Sequence, residues 1–136
     1  MPPEPSEAEF LERYDPTAFD RPSVAVDVAL VSAFEGALHA LLVERPAMPF
    51  KGRWSLPGGF VHLDESLDAA AKRVLAEKTH LDDVFLEQLY TFGKPGRDPR
   101  MRIITVAYYA LVDRARFETA RAQGSRVGRI EVPWAG

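Results

Sequence analysis

The stretch that decides the fold is GGFVHLDESLDAAAKRVLAEKTHL, residues 58–81. Its two leading glycines allow a backbone to approach an anion closely. Asp64 and Ser66 offer N-caps to a helix that we predict to run to about Thr79. The apolar positions follow the spacing of an amphipathic helix with one face on a sheet, and they are Leu67, Ala70, Ala71, Val74 and Leu75. The stretch therefore predicts a glycine loop followed by a helix with one buried face.

Strand patterns flank this loop and helix on both sides. A β-branched run from Val24 to Phe34 is typical of a strand buried on both faces, and a turn at residues 34–37 makes it a hairpin candidate. The remaining predicted elements are strands over 38–43, 84–92 and 103–112, a short helix over 113–124, and the start of a last strand over 129–134. The order of these elements indicates a mixed α/β (α+β) domain.

One domain is the natural organisation for a chain of this length, 136 residues. Residues 1–22 are rich in proline and acidic side chains, so we predict an irregular N-terminal arm with at most one or two helical turns, docked on the domain. The domain itself is predicted to cover residues 23–136. We see no internal repeat and no linker long enough to separate two domains.

Composition narrows the chemistry. Because the chain has no cysteine, disulfides, zinc–thiolate sites and thiol nucleophiles are excluded. The formal net charge of -3 and the pI of about 5.6 have the wrong sign for a domain that grips nucleic-acid phosphates unaided. We find no signal peptide and no apolar run long enough to span a bilayer, so we expect a cytoplasmic location and no membrane partner.

Residues 59–81 resemble the Nudix box, a loop, helix and loop that bind a divalent metal and a pyrophosphate. Six of the nine defining positions match with the family's spacing, and they are Gly59, Glu65, Arg73, Leu75, Glu77 and Leu81. The resemblance implies the Nudix fold, in which a mixed β-sheet lies sandwiched between helices. It also implies that Arg73 and Glu65 tie the loop to the helix and support the shape of the site.

Three positions depart from the box. Val74 and Lys78 stand where the family has glutamates, and His80 stands where it has glycine. At about 100° per residue, positions 74, 77 and 78 fall within roughly a 100° arc, so we predict that all three face one cleft. A lysine beside a metal site repels a cation by at least about 1 kcal/mol even in water. We therefore expect Lys78 to bind the phosphates of a ligand directly, in place of a metal.

Motifs outside the box resemble one branch of the family. These segments are 10–14, 21–24, 50–54, 89–93 and 97–100. That branch contains ADP-ribose pyrophosphatases and the Nudix-related transcriptional regulators of NAD metabolism, whose Nudix-like domain senses ADP-ribose and whose appended winged helix binds DNA. Regulators of the branch often carry Glu-Lys-Thr in the box, as residues 77–79 do here. The resemblance implies a homodimer, a nucleotide ligand, and DNA contact only through a C-terminal domain beyond Gly136.

Candidate site residues fall into three groups. The ligand-binding candidates are Arg21, Lys51, Arg53, Trp54, Gly58, Gly59, Lys78, Arg97, Arg100 and Arg102. Within this group the arginines of the 97–102 loop, with Lys94, suit a pyrophosphate clamp because guanidinium pairs bidentately with phosphate oxygens. Glu77 and Glu65 are the candidate catalytic carboxylates of a degenerate site. A residual metal site would use Glu77 and the Gly58 carbonyl.

Two further features of the strands carry predictions of their own. Asp27 interrupts an apolar strand, and we favour a partnered carboxylate near Arg21 over a solvent-facing edge position. Trp54, together with Phe60, Tyr90 and Phe92, is either core or an aromatic face for an adenine.

Three functions remain open on the sequence. The first is a domain that binds ADP-ribose or a related nucleoside diphosphate sugar as a sensor, with hydrolysis lost or greatly weakened. The second is a working Nudix hydrolase that uses Mg²⁺ or Mn²⁺, with Asp64 or Glu87 supplying the missing base. The third is a structural interaction module without a small ligand.

Overall fold

The computed structural model describes residues 3–133, which form a mixed sheet with helices packed on it. The strands are β1 (Ser23–Phe34), β2 (Ala37–Glu44), β3 (Trp54–Ser55), β4 (Gly58–Phe60), β5 (Glu87–Phe92), β6 (Ile103–Leu111) and β7 (Arg126–Arg129), and the helices are α1 (Glu7–Arg13), α2 (Leu67–Thr79) and α3 (Arg114–Ala122). The main path runs β3-β2-β1-β6-β5, while β4 pairs with β1 and β7 pairs with β2. The predicted mixed α+β class is confirmed.

Strand β1 is the centre of the sheet. It pairs in parallel with β6 and antiparallel with β2 and β4. Because side chains alternate along a strand, Val26, Val28 and Leu30 share one face, and all three are fully buried. Asp27 points to the opposite face. One strand therefore supplies both the core and the floor of the cleft described below.

Helix α2 begins and ends at the residues that cap it. The Ser66 hydroxyl accepts a hydrogen bond from the Ala69 amide at 3.0 Å, which confirms the predicted N-cap. His80 ends the helix in the left-handed conformation (φ 63°, ψ 19°), and its amide donates to the Ala76 carbonyl at 2.9 Å. The helix buries the predicted apolar face against β1 and β4, with Ala70, Ala71, Val74 and Leu75 in the core.

The last strand lies earlier than predicted. β7 covers Arg126–Arg129, and residues 130–133 form no strand. Arg129 stands opposite His39, and the Ile130 amide donates one further hydrogen bond to the Leu38 carbonyl at 2.8 Å. The prediction over 129–134 is therefore wrong for residues 130–133, and Trp134 lies outside the described residues.

The N-terminal arm contains α1 and a short 3-10 turn at Pro16–Ala18. Its aromatic rings contact one another in sequence, Phe10 to Tyr14 at 5.6 Å and Tyr14 to Phe19 at 6.1 Å between centroids. All three remain about half exposed, and α1 has no buried residue. The predicted short helix is present, but the predicted docking of the arm on the domain is not seen in residues 3–22. Among residues 3–133 there is no helix of the length and hydropathy needed to cross a membrane.

Candidate functional site

A cleft of about 580 Å³ opens on the side of β1 away from the core. Its walls come from β1, β4, the loop after β2, the C-terminal turn of α2 and the loop between β5 and β6. Of the predicted ligand-binding residues, it gathers Gly58, Gly59, Lys78, Arg97 and Arg100. The lining also includes residues that the sequence did not single out, and they are Glu44, Arg45, Met48, Asp98 and Thr105.

Asp27 and Gly58 meet at the floor of the cleft. They are antiparallel register partners on β1 and β4, and a Cβ added to Gly58 would collide with Oδ1 of Asp27. Burial raises the pKa of Asp27, while the charges of Arg97 and Arg45 oppose that shift. The partner that we predicted for Asp27, Arg21, is exposed and makes no contact with it in the described structure. Asp27 is a cleft residue, not a carboxylate paired with Arg21.

Lys78 brings a cation to the wall of the cleft. It occupies the last turn of α2, beside the Gly58–Gly59 strand. No carboxylate of residues 3–133 forms an ion pair with it. Its side chain is exposed, so the ammonium keeps its hydration until an anion enters. The binding of ligand phosphates by Lys78 stays a prediction.

Arg73 joins the box loop to the helix. Its guanidinium donates to both oxygens of Glu65, at 2.7 Å from Nη2 and 3.0 Å from Nε. The same group donates to the Phe60 carbonyl at 2.8 Å and to Glu77 at 3.2 Å. The hydrogen bonds from Arg73, followed by one from the His62 amide, lower the pKa of Glu65 to about 2. Glu65 is therefore held as a structural anion.

Val74 does not face the cleft. Only 1% of its surface is exposed, and it packs in the core with Leu75 and Val26. One of its methyl groups lies directly behind Gly59, where an added Cβ would be 3.1 Å away. The prediction that positions 74, 77 and 78 all face one cleft is thus wrong for Val74, and of the three only Lys78 lines the cleft, since Glu77 pairs with Arg73 outside the lining. Strand β4 packs on α2 at this point, and Gly59 covers Val74.

Two of the three arginines that line the cleft, Arg97 and Arg100, already bind other groups of the protein. Arg97 donates through Nη2 to the carbonyls of Phe92 and Ile103 and to the Thr105 hydroxyl, at 3.0, 3.1 and 3.0 Å. Arg100 binds the carboxylate of Asp98 bidentately, with both hydrogen bonds at 3.0 Å. In consequence the pKa of Asp98 falls to about 2. Both arginines therefore fix the shape of the loop. They contribute positive charge to the cleft, but several of their N–H groups already donate to the protein.

Other predicted ligand-binding residues lie outside the cleft. Arg21, Lys51 and Arg102 are exposed and do not line it. Arg53 lies over the Phe50 ring, with its guanidinium carbon 5.6 Å from the centroid. Trp54 is half-buried beneath Arg126, whose guanidinium carbon is 4.2 Å from the ring. The structure thus brings together half of the predicted set and leaves these five apart.

Of the other aromatic residues predicted as candidates, one lines the cleft and two lie outside it. Phe60 lines the cleft, with the guanidinium carbon of Arg100 5.4 Å from its ring. Tyr90 and Phe92 pack edge to face at 4.9 Å on the exposed strand β5 and do not line the cleft. Phe60 is therefore the aromatic side chain available to a ligand there.

The residues present do not fit a tightly held divalent ion. Glu77 is ion-paired with Arg73, Glu65 is bound on both oxygens, and Lys78 adds a positive charge. No group of three His, Cys, Asp or Glu side chains among residues 3–133 is placed to hold a metal. Glu87, a candidate base of the hydrolase hypothesis, lies in a separate groove and accepts a hydrogen bond from the Tyr109 hydroxyl at 3.1 Å.

Sequence reasoning missed the cleft position of Asp27 and of Arg45. An ionisable residue in an apolar strand was the available signal for Asp27, since such a side chain needs a polar environment. Arg45 follows β2 directly, and its Nε donates to the Pro49 carbonyl at 2.7 Å. No pattern in the sequence marks that contact, because it depends on how the loop 45–53 folds back.

Comparison with known proteins gives consistent matches. A family model described as NUDIX domain matches residues 21–133. A protein of Acinetobacter baylyi named "ADPR responsive transcriptional repressor NtrR" is 44% identical over 110 residues, covering 79% of this chain and 44% of that protein. An "ADP-ribose pyrophosphatase" of Methanocaldococcus jannaschii is 37% identical over 87 residues, covering 64% of this chain and 49% of that protein.

A solved structure shows the same fold. The NUDIX domain of Shewanella oneidensis NrtR, crystallised with ADP ribose, is 44% identical to the chain and superposes with a TM-score of 0.74. The match covers 79% of this chain and 71% of that one. The chain spans about half the length of the curated relatives it matches.

Proposed function

The chain belongs to the Nudix family, and on that premise we propose that its cleft binds ADP-ribose or a closely related nucleoside diphosphate sugar as a sensor, with hydrolysis lost or greatly weakened. The observation that carries the proposal is Lys78: a cation without an ion-pair partner in the described residues, on the wall of a cleft that Gly58 and Gly59 also line. The relatives named for ADP-ribose point to the same ligand.

The diphosphate would lie between Lys78 and the loop that holds Arg97 and Arg100. Lys78 supplies a mobile ammonium, and the two arginines add positive charge from the loop between β5 and β6. The glycines at 58 and 59 allow β4 to lie close to Asp27 and to Val74, where a larger side chain would not fit. The sugar and base would extend towards Phe60 and the loop after β2.

We expect weak or absent hydrolysis because the carboxylates of the Nudix box are either paired with Arg73 or replaced. Hydrolases of the family use divalent metals, which need several oxygen ligands. In this chain Glu77 is paired with Arg73, Glu65 is fully hydrogen-bonded, and Lys78 replaces an acid. A divalent ion would also lie close to the Lys78 ammonium, and the two positive charges would repel.

Hydrolysis remains the second candidate function, because one relative is named as a hydrolase and because Glu77 of the Nudix box is retained. The archaeal protein named as an ADP-ribose pyrophosphatase is 37% identical over its matched part, and Glu77 is still exposed on α2, one residue before Lys78. For turnover, Mg²⁺ or Mn²⁺ would have to displace Arg73 from Glu77. A module without a small ligand is the third outcome.

One experiment separates the three. The protein is titrated with ADP-ribose by calorimetry, and the same mixtures are analysed for AMP after incubation with Mg²⁺ and with Mn²⁺. Binding with intact ligand supports the sensor. Release of AMP supports the hydrolase, and neither binding nor product would leave the structural module. Substitution of Lys72, an exposed lysine on the same helix, controls for the loss of a charge at Lys78.

The domain bounds, the oligomeric state and DNA contact are part of the same proposal. We propose a single Nudix-like domain over residues 23–136 preceded by the arm, and a homodimer that gel filtration with light scattering would test. In a longer protein of this type, DNA contact would fall to a separate C-terminal domain, since the chain as a whole carries a formal net charge of -3.

A further inference from the structure

The carboxylate of Asp27 lies in the cleft without a hydrogen-bond donor. No side chain or backbone group of residues 3–133 donates to it, although it is partly buried at the cleft floor. The adjoining position is glycine, and any larger residue at 58 would collide with Oδ1 of Asp27. The cleft floor is thus shaped around a carboxylate whose acceptor capacity is unused.

The nearest cations are held away from this carboxylate by other groups. Nη2 of Arg97 donates to two carbonyls and to Thr105, and Nε of Arg45 donates to the Pro49 carbonyl. Their charges still act on Asp27, because they oppose the rise in its pKa. They stabilise the carboxylate from a distance and leave its oxygens open to the cleft.

An ionised carboxylate accepts hydrogen bonds and donates none. It repels a phosphate, so the diphosphate of a ligand must lie towards Lys78 and away from Asp27. What binds at Asp27 must present hydrogen-bond donors. Two neighbouring donors are favoured, because each of the two carboxylate oxygens can accept one.

We propose that Asp27 accepts hydrogen bonds from vicinal hydroxyls of a ribose and thereby selects ribosyl ligands over deoxyribosyl ones and over bare phosphates. This inference rests on the proposed function, which supplies a ligand with two riboses. The adenine edge fits less well, since its amino donor stands beside ring nitrogens that only accept. A second polar residue, Thr105, lines the same floor.

The test uses Asp27→Asn, which preserves the shape of the side chain and replaces one acceptor oxygen by a donor. Removal of a partly buried charge should leave the melting temperature unchanged or higher, so the variant is expected to fold. The probes are ADP-ribose, inorganic pyrophosphate, ribose 5-phosphate and 2-deoxyribose 5-phosphate. Calorimetry serves for the first two, and NMR titration of the protein amides serves for the weaker pair. Asp82→Asn, an exposed site outside the cleft, is the matched charge control.

We expect Asp27→Asn to weaken ADP-ribose binding at least about 10-fold, the usual effect of losing hydrogen bonds to a charged group. Pyrophosphate should bind equally well or better, because a repulsive charge has gone. Wild type should prefer ribose 5-phosphate over its 2-deoxy form, and the variant should lose that preference. Equal loss for ADP-ribose and pyrophosphate, or an unchanged ADP-ribose affinity, would overturn the inference.

Failure of the proposed function is visible separately. If wild type binds no ADP-ribose, the sensor is wrong, and the two pentose phosphates still decide the role of Asp27. A preference for the ribose form that disappears in Asp27→Asn supports the subsite by itself. The absence of that preference in wild type overturns it.

Discussion

Arg73 holds Glu65 by two hydrogen bonds, 2.7 Å from Nη2 to Oε1 and 3.0 Å from Nε to Oε2. The pair is separated by eight residues, so it fastens the loop after β4 to the side of α2. The same guanidinium reaches the Phe60 carbonyl at 2.8 Å and so fixes the end of β4 as well. The position of Gly58 and Gly59 relative to Lys78 depends on this pairing of Arg73 with Glu65.

The Arg73–Glu65 pair predicts that the protein loses thermal stability in acid. The folded-state pKa of Glu65 is lowered to about 2 from a usual value of 4.5, so its contribution is fully present above about pH 4.5 and is lost as the pH falls towards 2. We expect the melting temperature of wild type to fall across that window more steeply than that of Glu65→Gln. Asp98→Asn should be measured alongside, because the pKa of Asp98 is also lowered to about 2 and this carboxylate contributes to stability over the same pH range. Parallel pH profiles for wild type and Glu65→Gln would contradict the assignment.

Lys78→Ala should weaken ADP-ribose binding by about 10- to 100-fold, the range for a charge-assisted hydrogen bond to a phosphate. The melting temperature should change little, because Lys78 is exposed and has no ion-pair partner in the described part of the chain. Calorimetric titration gives the affinity. Lys72→Ala, on the same helix but away from the cleft, should bind as wild type does. Equal losses in both variants would indicate a general charge effect instead.

Gly58→Ala should destabilise the fold by about 1–3 kcal/mol, because the new methyl group overlaps the Asp27 carboxylate. Adding Asp27→Ala should restore part of the loss, and only part, since the Val26 carbonyl is also close to that position. Thermal or urea unfolding of the two single variants and the double variant measures the coupling. Gly93→Ala, where the added carbon meets open space, is the control. Strictly additive losses would show that residues 27 and 58 do not interact.

Val74→Glu should lower the free energy of unfolding on the order of 3 kcal/mol, because it places an ionisable group at a site only 1% exposed. Restoring the family's glutamate here would therefore not by itself restore a metal site. Unfolding curves at neutral pH provide the measurement. Lys72→Glu, an exposed change on the same helix, should cost little. A stable Val74→Glu protein that gained hydrolysis would refute the core position of this residue.

The sequence predicted the elements whose patterns are local. The caps and apolar spacing of α2 depend on residues within one helix, and the apolar run of residues 24–34 identifies a strand. Both were therefore readable from residues 23–34 and 58–81. The prediction that the strand is buried on both faces is wrong, because only the face of Val26, Val28 and Leu30 is fully buried and the other opens on the cleft. The positive φ of His80 followed from its place at a cap that usually holds glycine.

The errors concern features that depend on partners distant in sequence. Helical angle alone placed Val74 in the cleft, yet the crossing of β4 over the helix buries it beside Gly59. The position of β7 at Arg126–Arg129 depends on its pairing with β2, which lies more than 80 positions earlier in the chain. Arg97 looked like a free phosphate ligand because its three acceptors on the adjoining strands were not apparent from the loop.

If Lys78 takes over the counter-charge that a metal provides elsewhere in the family, the cleft binds ADP-ribose without a divalent ion. Calorimetry in EDTA and again in millimolar Mg²⁺ gives the affinity for ADP-ribose, with AMP assayed in both samples. We expect the same dissociation constant in both samples and no AMP. Binding that requires Mg²⁺, or AMP that accumulates when Mg²⁺ is present, would show that a metal and not Lys78 supplies the counter-charge.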